Sequence, residues 1–414
     1  MNHFYLRNGQ FFCEDTSIKE IAKKFGTPIY IYSLAAIQDN CRQFQRVFSG
    51  YPTEICYAVK ANYNLSILKE IFSLGLGADV VSIGELERCL KVGLSGSKIV
   101  FSGVGKNHFE IERAIKLGVG TLNVESLSEL SMIRKITEEH KTKVSINLRI
   151  NPNIDVKTNP YIATGLYGTK FGIADEMVQE VLQTVKNHKF IKVEGLACHI
   201  GSQILELQRF AEAALRLREL GTELKQMGYP ISRLDLGGGL GISYNEKESV
   251  PSIEEYGQTL LNVLNPHSFK LFLEPGRSII GNAGALVTEV IHLKQNRTRH
   301  FTIVDAAMND LIRPCLYKAH HDIVPVEERD RSLVLTDVVG PICETGDFLG
   351  LDRYLPESMA GDLLMIKTAG AYGSTMTSNY NTRPRVAEVL VSGQEVKLIR
   401  RRESLTELWQ HEIF

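Results

Sequence analysis

The sequence has 414 residues, 43% of them hydrophobic and 23% charged, with 34 Gly and 13 Pro; this is the composition of an ordinary globular chain and excludes the disordered and collagen-like classes. Lys plus Arg number 47 and Asp plus Glu 48, a formal charge of −1, which disfavours a binder of nucleic acid or another polyanion. The length exceeds what one core ordinarily supports, so two domains are expected, one of them large enough to be a barrel.

The opening MNHFYLRNGQFFCEDTSIKE places polar and acidic residues where a signal peptide needs an apolar run, and no later segment approaches a membrane span. The expectation is a cytoplasmic protein with no membrane partner. Within that stretch FYLRNGQFFCE reads as a hairpin with Asn-Gly at its centre. From about residue 54 short apolar runs alternate with segments of helical period: EICYAVK, ADVVS, KIVF, TLNV, KVSINLRI, KVEGLACHI, RLDLG and LFLEPG. Eight such runs predict an α/β fold, a (β/α)8 TIM-type barrel over residues 28–285. Three of the intervening helical stretches, LSILKEIFSLG, GELERCLKVG and FEIERAIKLG, close with Gly, as helix C-termini often do. Beyond about residue 285 the segments ALVTEVIHLK, HFTIVDAAM, SLVLTDVVG, DLLMIKTAG and AEVLVSGQEVKLIR lack long helices between them. They predict a β domain of residues 286–414 that also takes in residues 1–27. Seven cysteines, at 13, 41, 56, 89, 198, 315 and 343, form no CxxC and no short-spaced Cys/His set. Neither a disulfide framework nor a metal site is expected, and a metal-dependent barrel hydrolase lacks its ligands.

Active sites of parallel barrels lie at the C-terminal ends of the strands. There the sequence collects Lys60, Asp79, Arg149, His199, a glycine run and Glu274. Lys60 follows CYAV, where its amine would be partly desolvated and so suited to bond an aldehyde; taken alone it reads as a solvated strand-end lysine. LDLGGGLG holds Gly237, Gly238, Gly239 and Gly241, which suit a phosphate by letting backbone amides approach, although such a run also makes a tight turn. Its spacing is not GxGxxG, and it follows the seventh strand, not the first. Glu274 in EPGRS reads either as an acid paired with Arg277 or as the partner of a heteroaromatic nitrogen. His199 reads as a buried hydrogen-bonded histidine or as one lying against such a ring, and Ser202 is within reach of its phosphate. An amine, a phosphate cradle and an acid together match what pyridoxal phosphate requires.

The segments AVKAN, HIGSQ, GGGLG, EPGRS, NDLIRP, GPICETGD and AGAYGSTMTSNYN, in this order over most of the chain, resemble the diaminopimelate decarboxylases, barrel-type pyridoxal-phosphate enzymes akin to ornithine and arginine decarboxylases and alanine racemase. The resemblance implies a barrel followed by a β domain, a homodimer with active sites at the interface, and pyridoxal 5'-phosphate as cofactor. It implies Lys60 as the lysine that carries the cofactor, His199 as the residue stacked on its ring and Glu274 as the pyridine partner. Asp79, Ser202, Gly238, Gly239, Gly276, Arg277 and Tyr372 complete the cofactor-binding set. Arg277, Arg313, Tyr317, Glu344 and Tyr372 resemble the substrate-binding set, and Cys343 the proton donor from the neighbouring subunit. The implied reaction is decarboxylation of meso-2,6-diaminopimelate to L-lysine and carbon dioxide, the last step of lysine biosynthesis. Fixed cations at Arg277 and Arg313 and the acid Glu344 suit a substrate with a second, distal zwitterion. Cys315 stands where a small residue such as Ala is usual, and Lys318 and His320 follow, so the pocket lining differs there. Other readings are a decarboxylase of another amino acid or carboxylated polyamine, separated only by the distal anchor, and a non-catalytic pyridoxal-phosphate carrier.

Overall fold

The computed structural model describes residues 3–166, 168–245, 248–264 and 268–414. The eight apolar runs are the strands of one closed parallel barrel: Thr53–Ala58, Gly77–Val80, Ile99–Phe101, Thr121–Val124, Val144–Asn151, Ile191–Ala197, Arg233–Asp235 and Lys270–Leu273. Each pairs with the next, and the last closes on the first through Leu271 opposite Thr53. Most strand residues are buried, which is why they read as apolar runs without strict alternation. Asn64, Ser82, Asn107 and Ser126 cap the helices Leu65–Ser73, Ile83–Lys91, His108–Lys116 and Leu127–His140, each side chain accepting a backbone N–H. The first three stop before Gly75, Gly93 and Gly118, all at positive φ, as their sequences predict. Helices Val178–Gln183, Leu207–Gln226 and Ile253–Leu264 follow the fifth, sixth and seventh strands, and a single turn, Arg277–Ile280, follows the eighth.

Inside the barrel a polar relay climbs through the apolar filling. Arg233 Nε donates to Asn147 Oδ1 at 2.8 Å, Asn147 Nδ2 to Asn123 Oδ1 at 2.9 Å, and Asn123 Nδ2 to Asp235 Oδ2 at 3.1 Å. Each member uses groups that burial would otherwise leave unsatisfied, so the relay sets a unique arrangement below the barrel mouth.

The chain divides into two compact units, residues 41–242 with 250–278, and residues up to 40 with 243–249 and 279–414. The boundaries expected at 27/28 and 285/286 therefore move. The reason is pairing: Ile29–Ser33 lies in the second unit's sheet, antiparallel to Gly284–Gln295 and parallel to Ala387–Ser392. That sheet runs Phe348–Pro356, Leu333–Val339, His300–Val304, Gly284–Gln295, Ile29–Ser33, Ala387–Ser392, Glu395–Arg400; Leu363–Ile366 also pairs with Gly284–Gln295, and Ile323–Pro325 pairs with Leu363–Ile366. Phe348–Pro356 and Ile323–Pro325 are strands that the sequence pattern did not reveal. The N-terminal hairpin forms, Phe4–Arg7 against Gln10–Cys13, with Asn8 and Gly9 both at positive φ. It builds a small sheet with Thr16–Ser17 and meets the rest of its unit through Gln10 and Glu327. Ile18, Ile21, Ile29, Ile31, Val287, Met365 and Val389 form this unit's core.

Replacing Asn123 by Leu strands Asp235 Oδ2 and the Asn147 amide without their partner. The expected cost is about 2–6 kcal/mol, from two buried polar groups at about 1–3 kcal/mol each. Urea unfolding should show a lower midpoint at unchanged slope; an unchanged midpoint would mean the relay contributes nothing.

Candidate active site

At the C-terminal mouth of the barrel a cavity of about 450 Å³ is lined by Lys60, Asn123, Arg149, Phe171, His199 and Glu274, among others. Lys60 sits in a 3-10 turn, Val59–Ala61, just past the end of the first strand. Its Nζ donates to Asp79 Oδ2 at 2.8 Å; the lysine side chain is 33% exposed and Asp79 fully buried. The amine expected to be partly desolvated is thus an ion-paired one whose carboxylate partner lies at the end of the second strand.

Opposite charges are scarce here. Asp79, Asp235 and Glu274 are all buried, and Glu274 and Asp235 are near enough to shift each other's titration. Burial, then the charges of Asp235 and Asp79, push the Glu274 carboxyl well above its ordinary range. Burial raises Asp235 too, against the hydrogen bonds it accepts from Gly237 N at 3.0 Å and from Asn123. Glu274 Oε1 and Asp79 Oδ1 have no hydrogen-bond partner among the described residues. Buried acceptors of this kind are rare and mark a place where a donor belongs.

His199 is the reverse case. Burial and then the charges of Lys60 and Arg149 hold it well below the usual imidazole range, so it is neutral. Its Nδ1 accepts from Gly238 N at 3.2 Å, which places the ring proton on Nε2. Arg149 is anchored by Glu125 Oε1 at 2.6 Å, and its guanidinium lies 4.8 Å from the centre of the Phe171 ring. Cys198, next to His199, is held as an inert thiol by burial.

The glycine loop is needed for its shape. A Cβ on Gly238 would stand 2.2 Å from Glu274 O, and one on Gly239, at φ 115°, 2.4 Å from Gly201 O. Gly276 packs as closely on the first strand's end, its notional Cβ 3.0 Å from Ala58 and Ala61. Arg277 Nη2 donates to Ser202 Oγ at 3.0 Å. The barrel unit therefore brings together Lys60, Asp79, His199, Gly238 and Glu274, and ties Arg277 to Ser202.

The remaining predicted residues belong to the sheet unit. Arg313, buried, opens a short helix, Arg313–Tyr317. Its Nε donates to His321 Nε2 at 3.3 Å, and its guanidinium lies 4.8 Å from the ring of Tyr244 and 5.9 Å from that of Tyr317. His321 Nδ1 donates to Lys367 O at 3.0 Å, leaving Nε2 free to accept from the arginine. Glu344 Oε2 accepts from Tyr380 at 2.9 Å; Cys343 is exposed, its N donating to Asn381 Oδ1 at 2.9 Å. Tyr372 is in the left-handed region at φ 55°. Sequence reasoning missed Asp235 and His321. A charged residue in the middle of an apolar strand, LDL, was the available signal for the first; for the second there was none, because its role depends on a fold-made contact.

A barrel mouth with a lysine, a glycine loop and orphaned acids belongs to the pyridoxal enzymes, and residues 34–281 match the family model of the pyridoxal-binding domain of pyridoxal-dependent decarboxylases. The chain is 48% identical over 411 residues to a diaminopimelate decarboxylase of Vibrio cholerae, covering 99% of this chain and 98% of the relative. A crystal structure of the Helicobacter pylori diaminopimelate decarboxylase complexed with L-lysine superposes with a TM-score of 0.91 at 42% identity, covering 95% and 98% of the two chains. The M. jannaschii counterpart, also with L-lysine, gives 0.95 at 35% identity, covering 100% and 98%. The chain belongs to the diaminopimelate decarboxylase family of pyridoxal-dependent carboxy-lyases. No helix among the described residues is long and apolar enough to cross a membrane, and no metal-binding group of His, Cys, Asp and Glu occurs among them.

Because the pKa of folded Glu274 is raised, its contribution to stability is present below the ordinary value of 4.5 and is lost as pH rises through the folded value. Glu274→Gln removes that titration. In the cofactor-free protein its Tm should exceed the wild-type Tm by a margin that grows between pH 4.5 and 8; a margin that shrinks over this range would contradict the assignment.

Proposed function

We propose that the barrel mouth holds pyridoxal 5'-phosphate and that the enzyme decarboxylates meso-2,6-diaminopimelate to L-lysine and carbon dioxide. The observation that carries the reading is the Lys60 amine in a cavity beside Glu274, whose Oε1 is buried without a donor. A protonated ring nitrogen is the donor that oxygen needs, and the Gly238–Gly239 turn, which only glycines let pack against Glu274 O and Gly201 O, suits a phosphate. When bound, the cofactor supplies an aldehyde for an amine and a ring that accepts electron density as a bond to carbon breaks.

The chain's own groups divide the rest of the work. Lys60 would hold the cofactor through its amine, which Asp79 orients. Neutral His199, locked by Gly238 N, offers a flat face to the ring without adding a charge that would oppose the ring cation. Glu274 would face the ring nitrogen and balance its charge, with Asp235 beside it. Ser202, Gly239, Gly276 and Arg277 hold the phosphate. The family resemblance assigns Arg277, Arg313 and Tyr317 to the distal carboxylate, Glu344 to the distal ammonium, and Tyr372 to both substrate and cofactor. Holding the distal end would orient the reacting end of the substrate, so binding energy far from the chemistry would help select which bond breaks. Cys343 delivers the proton to the substrate carbon; an exposed side chain in the described unit suits a group offered to a neighbouring subunit's site, and the protein acts as a homodimer in the cytoplasm.

Two experiments test this. Purified holoenzyme should release carbon dioxide from meso-diaminopimelate far faster than from ornithine, arginine or carboxynorspermidine, and Lys60→Ala should lose the borohydride-trapped adduct; equal rates, or trapping without the lysine, would reject the reading. Arg313→Leu removes charge-assisted hydrogen bonds of about 1.5–3 kcal/mol, so KM for diaminopimelate should rise roughly ten- to hundredfold. The same change should leave cofactor affinity unaltered, and a parallel loss of cofactor would assign Arg313 elsewhere.

A further inference from the structure

The loop after the sixth barrel strand lies beside the glycine loop after the seventh, joined by their backbones. Ile204 N donates to Gly239 O at 2.9 Å, Gly241 N donates to Ile204 O at 3.0 Å, and Ile204 and Leu240 form a parallel bridge. Gln203 sits at the edge of this short pairing with φ 57°, in the left-handed region that side chains seldom adopt. Glutamine has no local preference for that conformation; something else holds it there. Its side-chain amide bonds both backbone groups of one residue of the other loop: Nε2 donates to Ile242 O at 2.6 Å and Oε1 accepts from Ile242 N at 3.2 Å. The side chain thereby acts as one more rung of the pairing, satisfying a donor and an acceptor that the glycine loop would otherwise leave to water.

What the rung holds in place is specific. Ser202 immediately precedes Gln203, accepts from Arg277 Nη2 at 3.0 Å, and is braced from its other side by Thr158 Oγ1, which donates to Ser202 O at 2.9 Å. Gly239, three residues before Ile242, is pinned by Ile204. We propose that Gln203 is a positioning residue for the anion cradle: its amide locks the Ser202 loop to the Gly239 loop so that the donors of both converge on one phosphate monoester dianion. Gln203 itself does not touch the phosphate. The inference rests on the reading of Ser202, Gly239 and Arg277 as that cradle. Donors held in place before the ligand arrives bind more tightly than donors that must be ordered by it.

The test uses three variants and two probes besides pyridoxal phosphate. Gln203→Gly relaxes the left-handed backbone but deletes the rung; Gln203→Asn tolerates that backbone with an amide too short to reach Ile242; Ser202→Ala reports on the cradle directly. Dissociation constants are measured for pyridoxal phosphate, for inorganic phosphate by competition, and for unphosphorylated pyridoxal. Loss of two hydrogen bonds should weaken pyridoxal phosphate and inorganic phosphate by about tenfold or more in both Gln203 variants. Pyridoxal binding should not change, which a merely structural defect would not spare. Wild-type phosphate affinity in Gln203→Gly, or an equal loss for pyridoxal and phosphate, overturns the proposal. If Ser202→Ala weakens phosphate binding while both Gln203 variants match wild type, only the rung is refuted; if Ser202→Ala also leaves it unchanged, the cradle assignment falls with it.

Discussion

Three carboxyl groups, Asp79, Asp235 and Glu274, buried at one end of a barrel with the single amine of Lys60 paired to one of them, set the terms for this protein. Like charges in a dry space cannot all ionise, and the structure answers in two ways. Lys60 pairs with Asp79, and burial with the charges of Asp235 and Asp79 raises the Glu274 carboxyl, favouring its neutral form. The arrangement is stable enough to fold and is also incomplete, because oxygens of Asp79 and Glu274 remain without donors. Buried acceptors of this kind are rare among native polar groups and suit a positively charged N–H.

The scaffold makes that cluster affordable by surrounding it with fixed polar groups. The relay of Arg233, Asn147 and Asn123 ends on Asp235, and the backbone of the glycine loop donates to both Asp235 and His199. His199 and Glu274 are pushed in opposite directions by the same cause, burial disfavouring charge, which leaves a neutral ring on one side of the cavity and a proton-holding acid on another. Cysteines share the effect: Cys56 and Cys198 are deep thiols without reactivity, while Cys343 is exposed.

The sheet unit follows a different logic. Its charged groups are positioned by side-chain pairs within itself, Arg313 by His321 and Glu344 by Tyr380. His321 is oriented in turn by a backbone carbonyl, an arrangement that settles which ring nitrogen faces the arginine. The pairing fixes the direction of the Arg313 guanidinium, which is buried and stacked near the rings of Tyr244 and Tyr317.

The eight strands, the capped helices and the hairpin turn at Asn8 and Gly9 could be read from the sequence, because each depends on neighbours within a few residues: apolar runs, an Asn or Ser before a helix, a glycine after it. Lys60, His199, the glycine run and Glu274 were legible for a related reason, since a parallel barrel sends every strand's end to the same rim. Strands Phe348–Pro356 and Ile323–Pro325, the membership of Ile29–Ser33 in the second sheet, the ion pair of Lys60 with Asp79, the raised carboxyls of Asp235 and Glu274, and the reach of Gln203 to Ile242 were decided only by tertiary structure. These depend on groups distant in sequence meeting at hydrogen-bond distance in a place that excludes water, and no local pattern records either the meeting or the dryness that gives it force.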